Sequence, residues 1–176
     1  MSLTDVDNDQ LFDFKQKCRV CGQKHDSVPS CFGIEAPWRA FASDAEFDRR
    51  VELSGDQCVI DGAYFFIRGH IELPIVGTSD TLAFSVWSSL SEESFCLMSD
   101  RWDEADRAED AAYFGWLSSS ITPYLDVLHL PLSVQTREPG LVPLFTVTQS
   151  DHPLAMDQRN GISVRRWHEM ALSVMS

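Results

Sequence analysis

The chain has 176 residues, 44% hydrophobic and 11% aromatic, which is enough apolar material for one sizeable core. Its formal charge of -13, from 27 acidic and 14 basic residues, repels nucleic-acid backbones and anionic lipids and suits a basic protein partner. No apolar run approaches the length of a membrane span, and the start lacks the basic, apolar and small-residue segments of a secretory signal, so a cytoplasmic location is expected.

Residues 1–13 carry Asp5, Asp7, Asp9 and Asp13 with few apolar partners, and are expected to form a flexible acidic tail. Residues 14–176 show no internal repeat, low-complexity tract or linker, which predicts a single globular domain. Gly22, Pro29, Gly33 and Pro37 punctuate residues 17–37, so that stretch reads as loop and turn, followed by a short helix over 43–53.

The clearest strand signal runs from Asp56 to Val76. Cys58-Val59-Ile60 leads into an Asp61-Gly62 turn, and Phe65, Ile67, Ile71, Leu73 and Ile75 follow with period two. Residues 82–90 predict another strand, with Leu82, Phe84 and Val86 on one face and Ser85, Trp87 and Ser89 on the other. Ser91 caps a predicted helix reaching about residue 108, whose first turn holds Glu92 and Glu93.

Strands are predicted over 125–135 and 144–148, joined by Glu138-Pro139-Gly140. Asp151-His152-Pro153 marks a helix start, and Ser163 caps a last helix with Val164, Trp167, Ala171, Leu172 and Met175 on one stripe. Short connections and hairpin turns predict an α+β fold, an antiparallel sheet packed against helices, with an N-terminal Cys/His knuckle loop.

That knuckle is the strongest chemical motif. Cys18 and Cys21, two residues apart and followed by Gly22, can hold one tetrahedral ion, and His25 can add a nitrogen. A closed structural zinc site needs a fourth ligand, for which Cys58, Cys31 and His70 are candidates. Cys58 would pin the loop to the sheet, whereas Cys31 would complete a local set resembling the retroviral zinc knuckle with its histidine displaced by one position. The acidic surroundings oppose the nucleic-acid binding of that knuckle. An odd count of five cysteines also argues for thiols or metal ligands over a disulfide framework.

Arg68, His70 and Glu72 alternate along one strand and so project from one face. His70 could move protons with Glu72 orienting it, Arg68 could hold an anion and Trp87 could form a wall, which defines a hydrolase or lyase reading. The plainer reading is a solvated sheet face with an Arg68–Glu72 ion pair. No nucleophile elbow, metalloprotease helix or phosphate loop accompanies the row. The acidic run from Asp100 to Asp110, interrupted by Arg101 and Arg107, reads as an exposed helix face with an Asp103–Arg107 pair.

Several segments together resemble the bacterial family known as domain of unknown function 2199. They are Cys18-x-x-Cys21-Gly22-x-x-His25, Asp56-Gln57-Cys58-Val59-Ile60, Phe65-Phe66-Ile67-Arg68-Gly69, Glu72-Leu73-Pro74, Val86-Trp87-Ser88-Ser89-Leu90-Ser91, Phe114-Gly115-Trp116-Leu117 and Asp151-His152-Pro153-Leu154. The resemblance implies that Cys58 belongs to the family's pattern with Cys18, Cys21 and His25, that Cys31 is peripheral to it, and that the acidic N-terminal extension is particular to this chain. It brings no assigned activity. The expected function is a small binding or interaction module with a structural zinc site, and the alternative is a small-molecule hydrolase or lyase using the Arg68, His70 and Glu72 face.

Overall fold

Alternating apolar residues make strands of the middle of the chain, and the computed structural model, which describes residues 28–175, shows how they join. In chain order the elements are β1 (Cys31–Gly33), α1 (Phe47–Arg50), β2 (Val51–Leu53), β3 (Gln57–Ile60), β4 (Tyr64–Pro74), β5 (Thr81–Leu90), α2 (Glu92–Asp100), β6 (Tyr113–Leu117), β7 (Pro131–Gln135), β8 (Leu144–Val147), α3 (Pro153–Asn160) and α4 (Val164–Met175). Short 3-10 turns stand at Pro37–Ala40, Asp44–Glu46 and Arg107–Glu109. The knuckle residues Cys18, Cys21 and His25, and the acidic tail, lie outside the described residues.

The fold is α+β, and five of its strands close into a barrel. β4 to β8 form an antiparallel meander, and β8 then returns to β4. The expected antiparallel sheet is corrected to a mixed one, because four reversals of direction leave the fifth strand of a meander parallel to the first. The β4–β8 bridge is accordingly parallel, at His70 and Leu144. β1 also lies parallel to β5, and β3 and β2 extend the sheet from the other edge of β4.

Period-two alternation sorts side chains between the inside and outside of the barrel. Ile67, Ile71, Leu73, Leu82, Phe84, Val86, Leu132, Val134 and Phe145 fill its interior. Leu154 and Ala155 of α3 and Met170 and Ala171 of α4 extend the same core. On the outside, Cys58, Ile60, Phe66 and Trp87 form a second buried cluster under Ala36, Trp38 and Ala42.

The Asp61-Gly62 turn forms as expected, both residues holding positive φ of 55° and 62°, which matches the twist of a tight hairpin. The caps also hold: Ser94 N donates to Ser91 Oγ, and Arg166 N donates to Ser163 Oγ. At α3 it is His152, with Nδ1 accepting from Leu154 N, that caps the helix.

The elements differ from expectation in several places, and the strand expected over 125–135 is confined to Pro131–Gln135. The helix over 43–53 shortens to a 3-10 turn and α1, because Val51 pairs with Ile60 and draws the chain into β2. β6 replaces a segment with no predicted element, since outward Phe114 and Trp116 are as apolar as inward Tyr113 and Leu117 and erase the alternation. The helix from Ser91 stops at Asp100, not near residue 108.

Arg107 explains that last difference. It is 2% exposed, and no Asp103 pair forms. Its guanidinium donates to the carbonyls of Trp102, Arg137, Glu138 and Leu141, and stacks over Trp102 at 4.8 Å. A buried cation held by carbonyl oxygens ties the β7–β8 connection to the loop after α2, and a continuing helix would carry it away from those partners.

Two substitutions test this frame. Arg107→Ala strands four carbonyls and should lower stability by about 3 kcal/mol or more, read by denaturant unfolding. Gly69→Ala drives a methyl into the Phe145 ring and the Pro143 carbonyl and should cost about 3 kcal/mol, whereas Gly55→Ala meets nothing and should stay close to wild type. Equal stability of the two glycine variants would contradict the packing at the barrel seam.

Candidate functional site

The β4 alternation that fills the barrel places Phe66, Arg68, His70 and Glu72 together on its outer face, as the sequence predicts. Arg68 lies opposite Trp87 on β5, His70 opposite Ser85 and Glu72 opposite Ala83. The row is half-buried, between the second core cluster at one end and the β8 seam at the other.

Arg68 uses three of its five N–H donors within the fold. Its Nε donates to Gly55 O at 2.6 Å, Nη1 to Ser85 Oγ at 3.0 Å and Nη2 to Asp56 Oδ1 at 2.8 Å. The guanidinium therefore locks the turn before β3 onto the β4–β5 pair. Glu72 pairs not with Arg68 but with Arg137, Nη1 to Oε1 at 2.9 Å, while Arg137 Nε donates to Val142 O at 2.8 Å. This bridge spans the seam where β8 meets β4.

His70 Nδ1 stands 3.8 Å from Glu72 Oε1, beyond direct hydrogen bonding. Burial, then Arg137, hold the His70 pKa below its ordinary value, with Glu72 opposing and Arg68 adding to the drop. The imidazole is thus neutral at neutral pH, an acceptor or proton carrier and not a fixed cation.

Trp87 does not wall an open site. It is 4% exposed, and its Nε1 donates to Ile34 O at 3.0 Å. The open space lies at the other end of the row, where a cleft of about 460 Å3 is lined by Glu72, Leu144, Thr146, Gln158 and Arg159 among others. Gln158 is held there by β8, accepting from Val147 N at 3.0 Å and donating to Phe145 O at 2.6 Å. The cleft joins a carboxylate, a threonine hydroxyl and an exposed guanidinium, a set able to hold a small polar molecule.

The two cysteines among the fourth-ligand candidates occupy different surroundings. Cys58 is completely buried in the second cluster, and burial pushes its thiol up to about 11. Cys31 is exposed on β1, where desolvation raises its thiol, Arg68 pulls it down and Glu72 adds to the rise. Among the described residues no group of three or more His, Cys, Asp or Glu side chains could hold a metal ion.

Sequence reasoning missed Asp56 and Arg137, the partners that define the row. Nothing local could reveal Arg137, which stands 65 positions from Glu72 and meets it only through barrel closure. Asp56 is 12 positions from Arg68, across the hairpin already visible in the sequence, and its register offered the missing signal.

The lowered His70 pKa has a defined consequence. The unfolded chain binds the proton more readily, so stability is unaffected above the ordinary value of 6.5 and falls as pH drops below it. His70→Asn should remove this increment, so that its melting temperature gains on the wild type between about pH 7.5 and about pH 5.5. A difference independent of pH would contradict the burial of the ring.

Among the described residues no helix is long and apolar enough to cross a membrane. No curated protein and no solved structure matches the chain. A family model described as "Uncharacterized protein conserved in bacteria (DUF2199)" matches residues 17–162, most of the sequence, and the chain belongs to that family.

Proposed function

We propose that the protein acts as a binding and interaction module whose N-terminal loop is stabilised by zinc. The observation that carries the binding reading is the internal engagement of the outer row: Arg68 gives three of its five donors to Gly55, Ser85 and Asp56, and Glu72 pairs with Arg137. These groups hold strands together, and three of the five Arg68 donors are committed to that task. The chain as a whole is strongly acidic, and a cationic protein partner suits it.

Zinc would be held by Cys18, Cys21 and His25, whose sulfur and nitrogen donors and spacing suit a closed tetrahedral site. For the fourth ligand the exposure of Cys31, six residues after His25, supports it over Cys58, which is enclosed by Trp38, Phe66 and Trp87. Untagged protein should carry about one zinc per chain, and Cys18→Ser should abolish it. Cys31→Ser should lower the ratio while Cys58→Ser retains it. The opposite pattern would make Cys58 the ligand, and metal-free wild type purified without chelators would remove the site altogether.

The hydrolase or lyase reading is favoured by one observation, the cleft beside Glu72 with neutral His70 nearby. A metabolite screen comparing wild type with His70→Ala and Glu72→Ala separates the two readings. Binding without turnover is expected, and turnover lost in both variants would establish the enzyme instead.

A further inference from the structure

Resting on the binding reading, we infer that the outer face of β6 is the docking surface, and that its occupant is a cationic segment of a partner protein. Phe114 and Trp116 are 56% and 46% exposed, and their rings meet edge to face at 4.9 Å. They stand on the outside of the closed barrel, between Ser89 of β5 and Ser133 and Pro131 of β7. Two adjacent aromatic rings left in water on a rigid strand form a preorganised platform with an electron-rich face.

The charge of the segment that leads into β6 identifies the occupant. The chain between β5 and β6 carries eight carboxylates from Glu92 to Asp110 against two arginines. Arg101 is already engaged by Asp106 and Asp110, and Arg107 is buried. No ion pair among the described residues neutralises Glu92, Glu93, Asp100, Asp103, Glu104 or Glu109. This segment leaves β5 two residues beyond Ser89, the neighbour of Trp116, and returns at Glu109 and Asp110 just before Phe114.

Lysine or arginine side chains satisfy both features, since the cation is attracted to the ring faces and to the unneutralised carboxylates. The same charge disfavours residues 1–13 and a second copy of the chain as occupants. Residues 1–13 contribute Asp5, Asp7, Asp9 and Asp13 and no basic residue, and a second copy brings a further net charge of -13. A cationic peptide therefore fits where residues 1–13 or a dimer partner would be repelled.

A fluorescein-labelled peptide of alternating arginine and glycine, titrated into the full-length protein, tests the assignment. Phe114→Ser/Trp116→Ser should weaken binding by about tenfold or more with an unchanged melting curve, and wild-type affinity should fall as salt rises from about 50 mM to about 300 mM. Glu169→Gln, which removes one negative charge on α4, should leave affinity within about twofold. Equal binding by the double aromatic variant would overturn the platform while leaving the binding reading standing. Absence of binding by wild type at millimolar peptide, or self-association abolished by the double variant, would overturn the cationic occupant. His70-dependent turnover with peptide affinity intact would instead overturn the binding reading alone.

Discussion

Closure of the barrel at the β4–β8 seam is the constraint on which the rest of the structure depends. The backbone contribution is slight: one parallel bridge at His70 and Leu144, with His70 N donating to Pro143 O at 2.9 Å. Side chains complete it. Gly69 leaves room for the Phe145 ring, Arg137 reaches across to Glu72, and Arg107 anchors the carbonyls of the β7–β8 connection from below. Without that seam the interior of the meander would open to water along β4, where Ile67 and Ile71 are fully buried.

The same seam draws a row with the residue types of an active site into contacts between strands. A cation, an imidazole and a carboxylate alternating on one strand suggest acid–base chemistry when read alone. In the fold each charged group meets a partner from another strand or turn: Arg68 meets Asp56, and Glu72 meets Arg137. These pairs are partly exposed, so their value lies more in orientation and register than in net energy. The cleft beside Glu72 is a product of the arrangement, formed where α3 packs along β4 and β8.

Charge distribution bears on the proposed partner. From residue 28 onward the chain holds 22 carboxylates, ten arginines and no lysine. Most of the arginines are spent within the fold, on Glu35, Glu46, Asp56, Glu72, Asp106, Asp157, Glu169 and the carbonyls around Arg107. The surface is consequently more one-signed than the composition suggests. Exposed aromatic rings set in such a surface meet the opposite charge more readily than another copy of themselves.

Sequence by itself determined the local elements with strong period or turn chemistry: the Asp61-Gly62 hairpin, the alternation of β4 and β5, the Ser91 and Ser163 caps, and the outer row of Arg68, His70 and Glu72. These depend on neighbours within a few residues or on a single strand's pleat. The resemblance carried by scattered short segments was also legible, and the family it named is the one to which the chain belongs. Only tertiary structure decided that the sheet closes, that β8 runs parallel to β4, that Arg107 is buried and that Glu72 takes Arg137 as partner. The physical reason is separation along the chain. Partners 30 to 65 residues apart are chosen by how strands return to one another, and no local periodicity records that return.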